Sequence, residues 1–310
     1  MWMRACFLCR SLVVVLLAGL LAGCVTYTPF DEIRGRVPGD DFLRLPSGQL
    51  VYLLDEGSGE PVLLLHGFGA SSWAWRHVMP GLAKDFRVLA PDLNGFGWTE
   101  RPEEFSSYTG EGQIEMLLGL LETLGIDRVH VAGHSYGGAL ALTLAHRHPE
   151  RVRSLILLDA AHPSYLDSRR KKIADFEPFL GFYLRTLALR PRRVRNALER
   201  VVYDDERVNQ EMVREYLERL KVEGATRAYY GLTAPRKADR EPVIFEEIEI
   251  PTLVIWGEED TLVTVETGRT ASKRIAGLER FVVLSETGHA PHEERPERVT
   301  ELMGGFLRSR

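Results

Sequence analysis

The chain has 310 residues and a formal net charge of −5, with 45% hydrophobic, 27% charged and 9% aromatic side chains. That composition belongs to a globular protein and excludes a disordered or fibrous one, and the acidic balance excludes the basic footprint of a nucleic-acid binder. The length admits one large α/β domain with an insertion, or two small domains.

The chain opens on MWMRACFLCR, carrying Arg4 and Arg10, and continues as the uncharged SLVVVLLAGLLAG up to Cys24. A charged start before an apolar run is the layout of a secretory signal. The uncharged run from Ser11 to Thr28 is 18 residues, ending in small and polar types, so it is at the short limit for a spanning helix. An uncleaved membrane anchor is therefore the weaker reading. The phrase Leu21-Ala22-Gly23-Cys24 resembles the bacterial lipobox. That resemblance implies cleavage before Cys24, lipidation of Cys24 by acyl chains such as palmitate, and a protein anchored to a membrane of the bacterial cell envelope. Of Cys6, Cys9 and Cys24, only the last would survive cleavage, and lipidation would occupy it. Residues 1–23 are read as signal and 24–40 as a surface tether, since VTYTPFDEIRGRVPGDD has no apolar period and contains Pro and Gly.

Beyond the tether, short apolar runs alternate with helix-period segments, which predicts a mostly parallel sheet covered by helices. FLRL and VYLLDEG form a hairpin turning at Pro46-Ser47-Gly48. PVLLLHG is a buried strand and SWAWRHVMPGLAK a helix. RVLAPDL, VHVAGHS, SLILLDA, TLVIWG and RFVVLSE follow as strands. IEMLLGLLETLG, YGGALALTLAHRH and VETGRTASKRIAG have helical spacing, and a helix from about Glu294 to Leu307 closes the chain. From about His162 to Glu241 no strand is predicted, only stretches such as RRVRNALERVVY and QEMVREYLERLKV. This segment reads as a helical cap over the sheet's C-terminal edge, where open α/β folds bind ligands. The expected divisions are core residues 41–161, cap 162–241 and core 242–310.

The phrase VHVAGHSYGGALAL, Val129 to Leu142, places Ser135 between Gly133 and Gly137 where strand pattern turns into helix pattern. A G-x-S-x-G turn at such a junction is a nucleophile elbow, in which a strained serine pushes its hydroxyl out over the sheet edge. A serine hydroxyl is a poor nucleophile at neutral pH and needs a base, an orienting acid and oxyanion donors. Asp260 follows TLVIWG in WGEEDTLV, and His289 follows the next strand in SETGHAPHEERPE. Glu258, Glu259 and Asp159, which ends SLILLDA, compete with Asp260 for the acid. His292 competes with His289, though beside a carboxylate pair it reads as capping or solvating the last helix. His66 and His134 flank the oxyanion and nucleophile turns and are expected to hydrogen-bond backbone, while His146 and His148 read as the polar end of a helix. No Cys/His cluster has zinc spacing, and no phosphate loop or dinucleotide fingerprint occurs, so neither metal nor cofactor is expected.

HGFGASSWAW after the third strand, PDLNGFGWTERP after the fourth, the elbow, and the GEED and GH phrases stand in one order. With them the chain resembles the α/β-hydrolase superfamily over nearly all its length after the tether. The resemblance implies an eight-stranded, mostly parallel sheet flanked by helices with an inserted cap, and it places the acid at Asp260. It also implies an oxyanion hole made by the backbone N–H groups of Phe68 and Tyr136. Related haloalkane dehalogenases and epoxide hydrolases carry Asp at the elbow, so Ser135 argues against both. The C–C bond hydrolases of aromatic catabolism keep serine but commonly have Asn where this chain has His134. The expectation is a carboxylic-ester hydrolase acting on a small molecule, with a lactone or C–C bond hydrolase, or a non-catalytic envelope binding protein, as alternatives. From His162 to Arg200 there are ten Lys/Arg against four Asp/Glu, which suits a solvated face or a lid near anionic groups.

Overall fold

In the computed structural model, residues 26–38, 41–161, 189–233 and 243–310 are described. The alternating apolar runs form eight strands: β1 (Phe42–Arg44), β2 (Leu50–Gly57), β3 (Pro61–Leu65), β4 (Arg87–Pro91), β5 (Val129–His134), β6 (Val152–Leu158), β7 (Thr252–Gly257) and β8 (Leu278–Leu284). They form one sheet in the order β1-β2-β4-β3-β5-β6-β7-β8. Only β1–β2 and β2–β4 pair antiparallel; β4, β3, β5, β6, β7 and β8 run parallel. The β1–β2 turn closes where Leu45 N–H donates to Gln49 C=O, with Gly48 at φ 89°.

All six residues of β5 are buried, because helices cover both faces of the sheet. One face packs against helices Gly110–Thr123 and Tyr136–Arg147 through Ile114, Leu117, Leu121, Leu140 and Leu144. The other packs Val62, Leu64, Val88 and Ile255 against Trp75, Met79, Val299 and Met303. β5 sits mid-sheet, with Gly133 beside Leu65 of β3 and Leu157 of β6. The elbow is thus held from both sides.

Two local expectations need correction. SWAWRHVMPGLAK is not one helix but a 3₁₀ turn, Ser72–Trp75, and a single α-turn, Met79–Leu82. Pro80 has no N–H to donate to Arg76 C=O, so the bond that would join the two turns is missing. The closing helix is found where expected, as Pro296–Leu307, behind a separate turn, Pro291–Glu294, with Arg295 at φ −133°, ψ 52° between them. The segment expected as a surface tether is docked over residues 26–38. It holds a helix, Phe30–Arg36, with Ile33 buried. Thr28 exchanges backbone bonds with Lys221 (2.7 Å) and Glu223 (2.9 Å).

Between β6 and β7 the described residues contain no strand but three α-helices, Pro191–Glu199, Gln210–Leu220 and Ala225–Thr233. The first two pack through Leu189, Val194, Leu198, Met212, Val213 and Leu217, a small core of their own. The signal residues, Cys24 and the expected cap residues 162–188 lie outside the described residues.

Candidate active site

Ser135 stands at the turn between β5 and helix Tyr136–Arg147 with φ 50° and ψ −114°. A side chain at φ > 0 costs energy unless neighbouring bonds impose it. Here Ser135 N–H donates to Leu158 C=O (3.0 Å), and its own C=O accepts from Ala139 (3.1 Å) and Ala161 (3.0 Å). The flanking glycines are required by approach. A Cβ on Gly133 would come within 2.3 Å of Gly137 O, and one on Gly137 within 2.2 Å of Leu65 O.

The serine hydroxyl meets a histidine there. Ser135 Oγ lies 2.9 Å from His289 Nε2, and His289 Nδ1 lies 2.7 Å from Asp260 Oδ2. His289 and Asp260 are both buried. The other carboxylate oxygen, Oδ1, accepts the N–H groups of Leu262 (2.8 Å) and Val263 (3.0 Å). Burial pushes the Asp260 carboxyl up, but its hydrogen bond with His289, that ring's charge and these two N–H groups outweigh it and hold the carboxyl below its ordinary value. An ionised Asp260 only accepts, so Nδ1 carries a proton toward it, and Nε2 is the ring position left to accept from the Ser135 hydroxyl. This arrangement can take a proton from the hydroxyl and return it to a leaving group.

Asp159, the competing acid, is brought to the same place. An oxygen of Asp159 lies within 4.8 Å of ligand atoms of both Asp260 and His289. Asp159 Oδ1 accepts from Gly257 N–H at 3.0 Å. Burial, reinforced by the Asp260 charge, pushes the Asp159 carboxyl well above its ordinary value. Its carboxyl therefore favours the protonated form more than that of Asp260 does. These three side chains could approach a metal ion, but His289 Nδ1 and Asp260 Oδ2 are already engaged with each other. Glu258 and Glu259 are exposed.

The rings of Phe68 and Tyr136 meet edge-to-face with centroids 6.2 Å apart. Tyr136 opens its helix, the positive end of the macrodipole. The Phe68 loop is fixed by buried His66. His66 Nε2 accepts from Leu93 N–H (3.0 Å), which leaves Nδ1–H to donate to Gly67 O (2.8 Å). Asp92 holds the next turn. Its oxygens accept Ser72 N–H and Trp98 N–H, both at 2.6 Å. His134 Nε2 donates to His289 C=O at 2.6 Å, and burial beside His289 pulls its imidazole down to about 3. His66 and His134 thus bond backbone as expected. His146 ends its helix against Glu247 (3.1 Å), and His148 caps it.

His292 differs from expectation. It is buried, packed at a tilt between the rings of Trp75 (centroids 4.5 Å apart) and His134 (4.4 Å), and it lines the cavity. Burial holds it neutral, well below its ordinary value. The cavity above Ser135 measures about 740 Å³. Sequence reading missed its cap wall, where Arg193, Asn196, Ala197 and Arg200 lie on one stripe of helix Pro191–Glu199 and just past it. Their i, i+3, i+4, i+7 spacing was the available signal.

An eight-stranded, mostly parallel sheet with a serine at its central strand-to-helix turn defines the α/β-hydrolase fold. The chain belongs to that family: its profile, described as alpha/beta hydrolase fold, matches residues 60–296. It is 32% identical over 273 residues to 2-hydroxymuconate semialdehyde hydrolase of Pseudomonas sp. (strain CF600), covering 85% of this chain and 92% of that one. Its structure resembles a meta-cleavage product hydrolase from Pseudomonas fluorescens IP01, with TM-score 0.70 and 27% identity over 86% of this chain and 97% of the other. It also resembles the enol-lactonase from Burkholderia xenovorans LB400, with TM-score 0.71 and 25% identity over 86% and 99% of the two chains.

Proposed function

We propose that this hydrolase cleaves carboxylic esters through an acyl-enzyme. The observation that carries the reading is the unbroken series from Ser135 Oγ through His289 to Asp260, at 2.9 and 2.7 Å, opening into the cavity. In this mechanism His289 takes the Ser135 proton as Oγ attacks the ester carbonyl. The developing oxyanion is received by the N–H groups of Phe68 and Tyr136. His289 then protonates the leaving alcohol while Asp260 steadies the imidazolium, and water activated by the same ring releases the acid. The cavity walls from Leu189, Val194, Leu198, Val201 and Leu232 suit an apolar acyl or alcohol group. A burst of product from an activated aryl ester, lost in Ser135→Ala, tests this reading; an undiminished burst in that variant overturns it.

A second reading, C–C bond or lactone hydrolysis with the same side chains, draws on the names of the three relatives and on Arg193 and Arg200 in the cap wall. His134 in place of the Asn common in C–C hydrolases weighs against the C–C form. A panel of esters of graded chain length, a lactone and 2-hydroxymuconate semialdehyde separates them by kcat/KM.

With this function goes a place: residues 162–241 as a cap, and a mature protein lipidated at Cys24 and held at the extracytoplasmic side of a bacterial membrane. Two or more acyl chains give a stable anchor where one is marginal. Intact mass of the protein from a bacterial host is expected to show a chain starting at Cys24 with added lipid. Another N-terminus, or no lipid mass, overturns the anchor.

A further inference from the structure

The carboxylate pair after the histidine loop is not a solvated helix start. Glu294 is buried at 2% exposure. Its Oε1 accepts from Gly288 N–H (2.9 Å) and Ala290 N–H (3.3 Å), the groups on either side of His289. Its Oε2 accepts from Tyr203 N–H at 2.7 Å, across the boundary between core and cap. The N–H of His289 itself donates to Val201 C=O at 2.7 Å. Three consecutive N–H groups, 288 to 290, are therefore held by one carboxylate and by one carbonyl of the cap. The contact is tight: a Cβ on Gly288 would lie 2.7 Å from both Tyr203 N and Val201 O. Residues 201–203 continue from helix Pro191–Glu199, whose exposed stripe lines the cavity.

We propose that Glu294 is a positioning residue for His289, and that it ties the setting of the imidazole to the seating of the cap. The inference rests on the proposed role of His289 as the base. Three converging donors need an acceptor-only group with two oxygens; an amide would turn an NH₂ against at least one N–H. Because Tyr203 and Val201 bond the same loop, lifting this cap segment removes bonds from Glu294 and from His289 together. A closed cap thus favours a correctly aimed imidazole.

The test is Glu294→Gln in the full chain, using active-site titration by the aryl-ester burst to count competent sites. The kcat per titrated site is expected to fall about 10- to 100-fold, the scale of a small misplacement of a reacting group, with KM little changed. The downfield proton resonance of the His289–Asp260 bond should shift upfield and broaden. A parent kcat per titrated site with an unchanged resonance overturns the proposal, whatever happens to the melting temperature. If Glu294→Gln does not fold, Gly288→Ala decides, since its Cβ displaces Val201 and Tyr203 while Glu294 stays. A fall in kcat per titrated site supports the coupling, and the parent value overturns it. Turnover surviving in Ser135→Ala would instead remove the ester-hydrolase reading itself.

Discussion

The C-terminal edge of the sheet and the helices inserted between β6 and β7 are built by different means. At the edge, position is imposed by backbone. Ser135 is held at φ 50° by three main-chain bonds and by glycines that leave no room for another residue, and Asp260 is fixed by two N–H groups. In the inserted segment, helices Pro191–Glu199 and Gln210–Leu220 share a small apolar cluster, and the cavity lining mixes apolar side chains such as Leu198 and Val201 with exposed polar ones at Arg193, Asn196 and Arg200. A rigid edge under a loosely specified wall separates chemistry from selection: changes at the edge should act on kcat, and changes in the wall on KM.

The largest expected break in that contrast is Ser135→Ala, which should cost on the order of 10⁶ in kcat while the protein stays folded, because the triad acts as a unit. Aryl-ester turnover with a thermal melt measures both. Residual activity within about tenfold of the parent would remove Ser135 as nucleophile.

The next effect compares the two acids of the edge. Asp260→Asn should cost roughly 10⁴ in kcat by disturbing the histidine tautomer. Asp159→Asn should cost far less. Asn tolerates the φ of 41° at this position, its carbonyl can still accept from Gly257, and its NH₂ can face Asp260 as a neutral acid does. Reversed effects would move the acid to the end of β6.

The same variant carries a pH signature. A carboxyl whose folded value is raised binds its proton more tightly in the native state, so it favours folding at low pH. That contribution is lost as pH rises from the unfolded value near 3.8 through the higher folded one. Asn has no proton to lose. The stability of Asp159→Asn relative to the parent should therefore improve as pH rises above that start, measured by urea melts across pH. A flat difference would mean that Asp159 is not buried as the neutral acid.

Much of this edge was readable in the sequence, since strands, elbow and the order Ser, Asp, His depend on local pattern. All eight strands lie where apolar runs were bounded by turn residues, from FLRL to RFVVLSE. What escaped depended on contacts between distant segments or on one proline. His292 was assigned to solvent because its neighbours are charged, yet Trp75 and His134, far away in the chain, bury it. Thr28 docks on Lys221 and Glu223 although nothing in VTYTPF signals a partner nearly 200 residues on. The helix expected through Pro80 kept a good apolar period, and a missing N–H overrode it.

The smallest expected effect sharpens the contrast from the cap side. Arg193 and Arg200 share one helical stripe on the cavity wall, about two turns apart, in a stretch where basic residues outnumber acidic ones. Both are exposed, so water screens whatever they attract, and an ion pair there is worth about 0.2–1 kcal/mol. That corresponds to at most about fivefold in an equilibrium constant. Arg193→Ala with Arg200→Ala should therefore lower kcat/KM for an ester bearing a free carboxylate by about two- to fivefold relative to its neutral methyl ester. The change should appear in KM, because these side chains lie on the wall and not at the reacting atoms. It should also fade as salt rises, since added ions shorten the range of exposed charges. Steady-state kinetics on the two esters at low and high salt measures it. A matched loss on both esters, or a fall in kcat, would place these arginines in the chemistry of the edge and erase the division between the two regions.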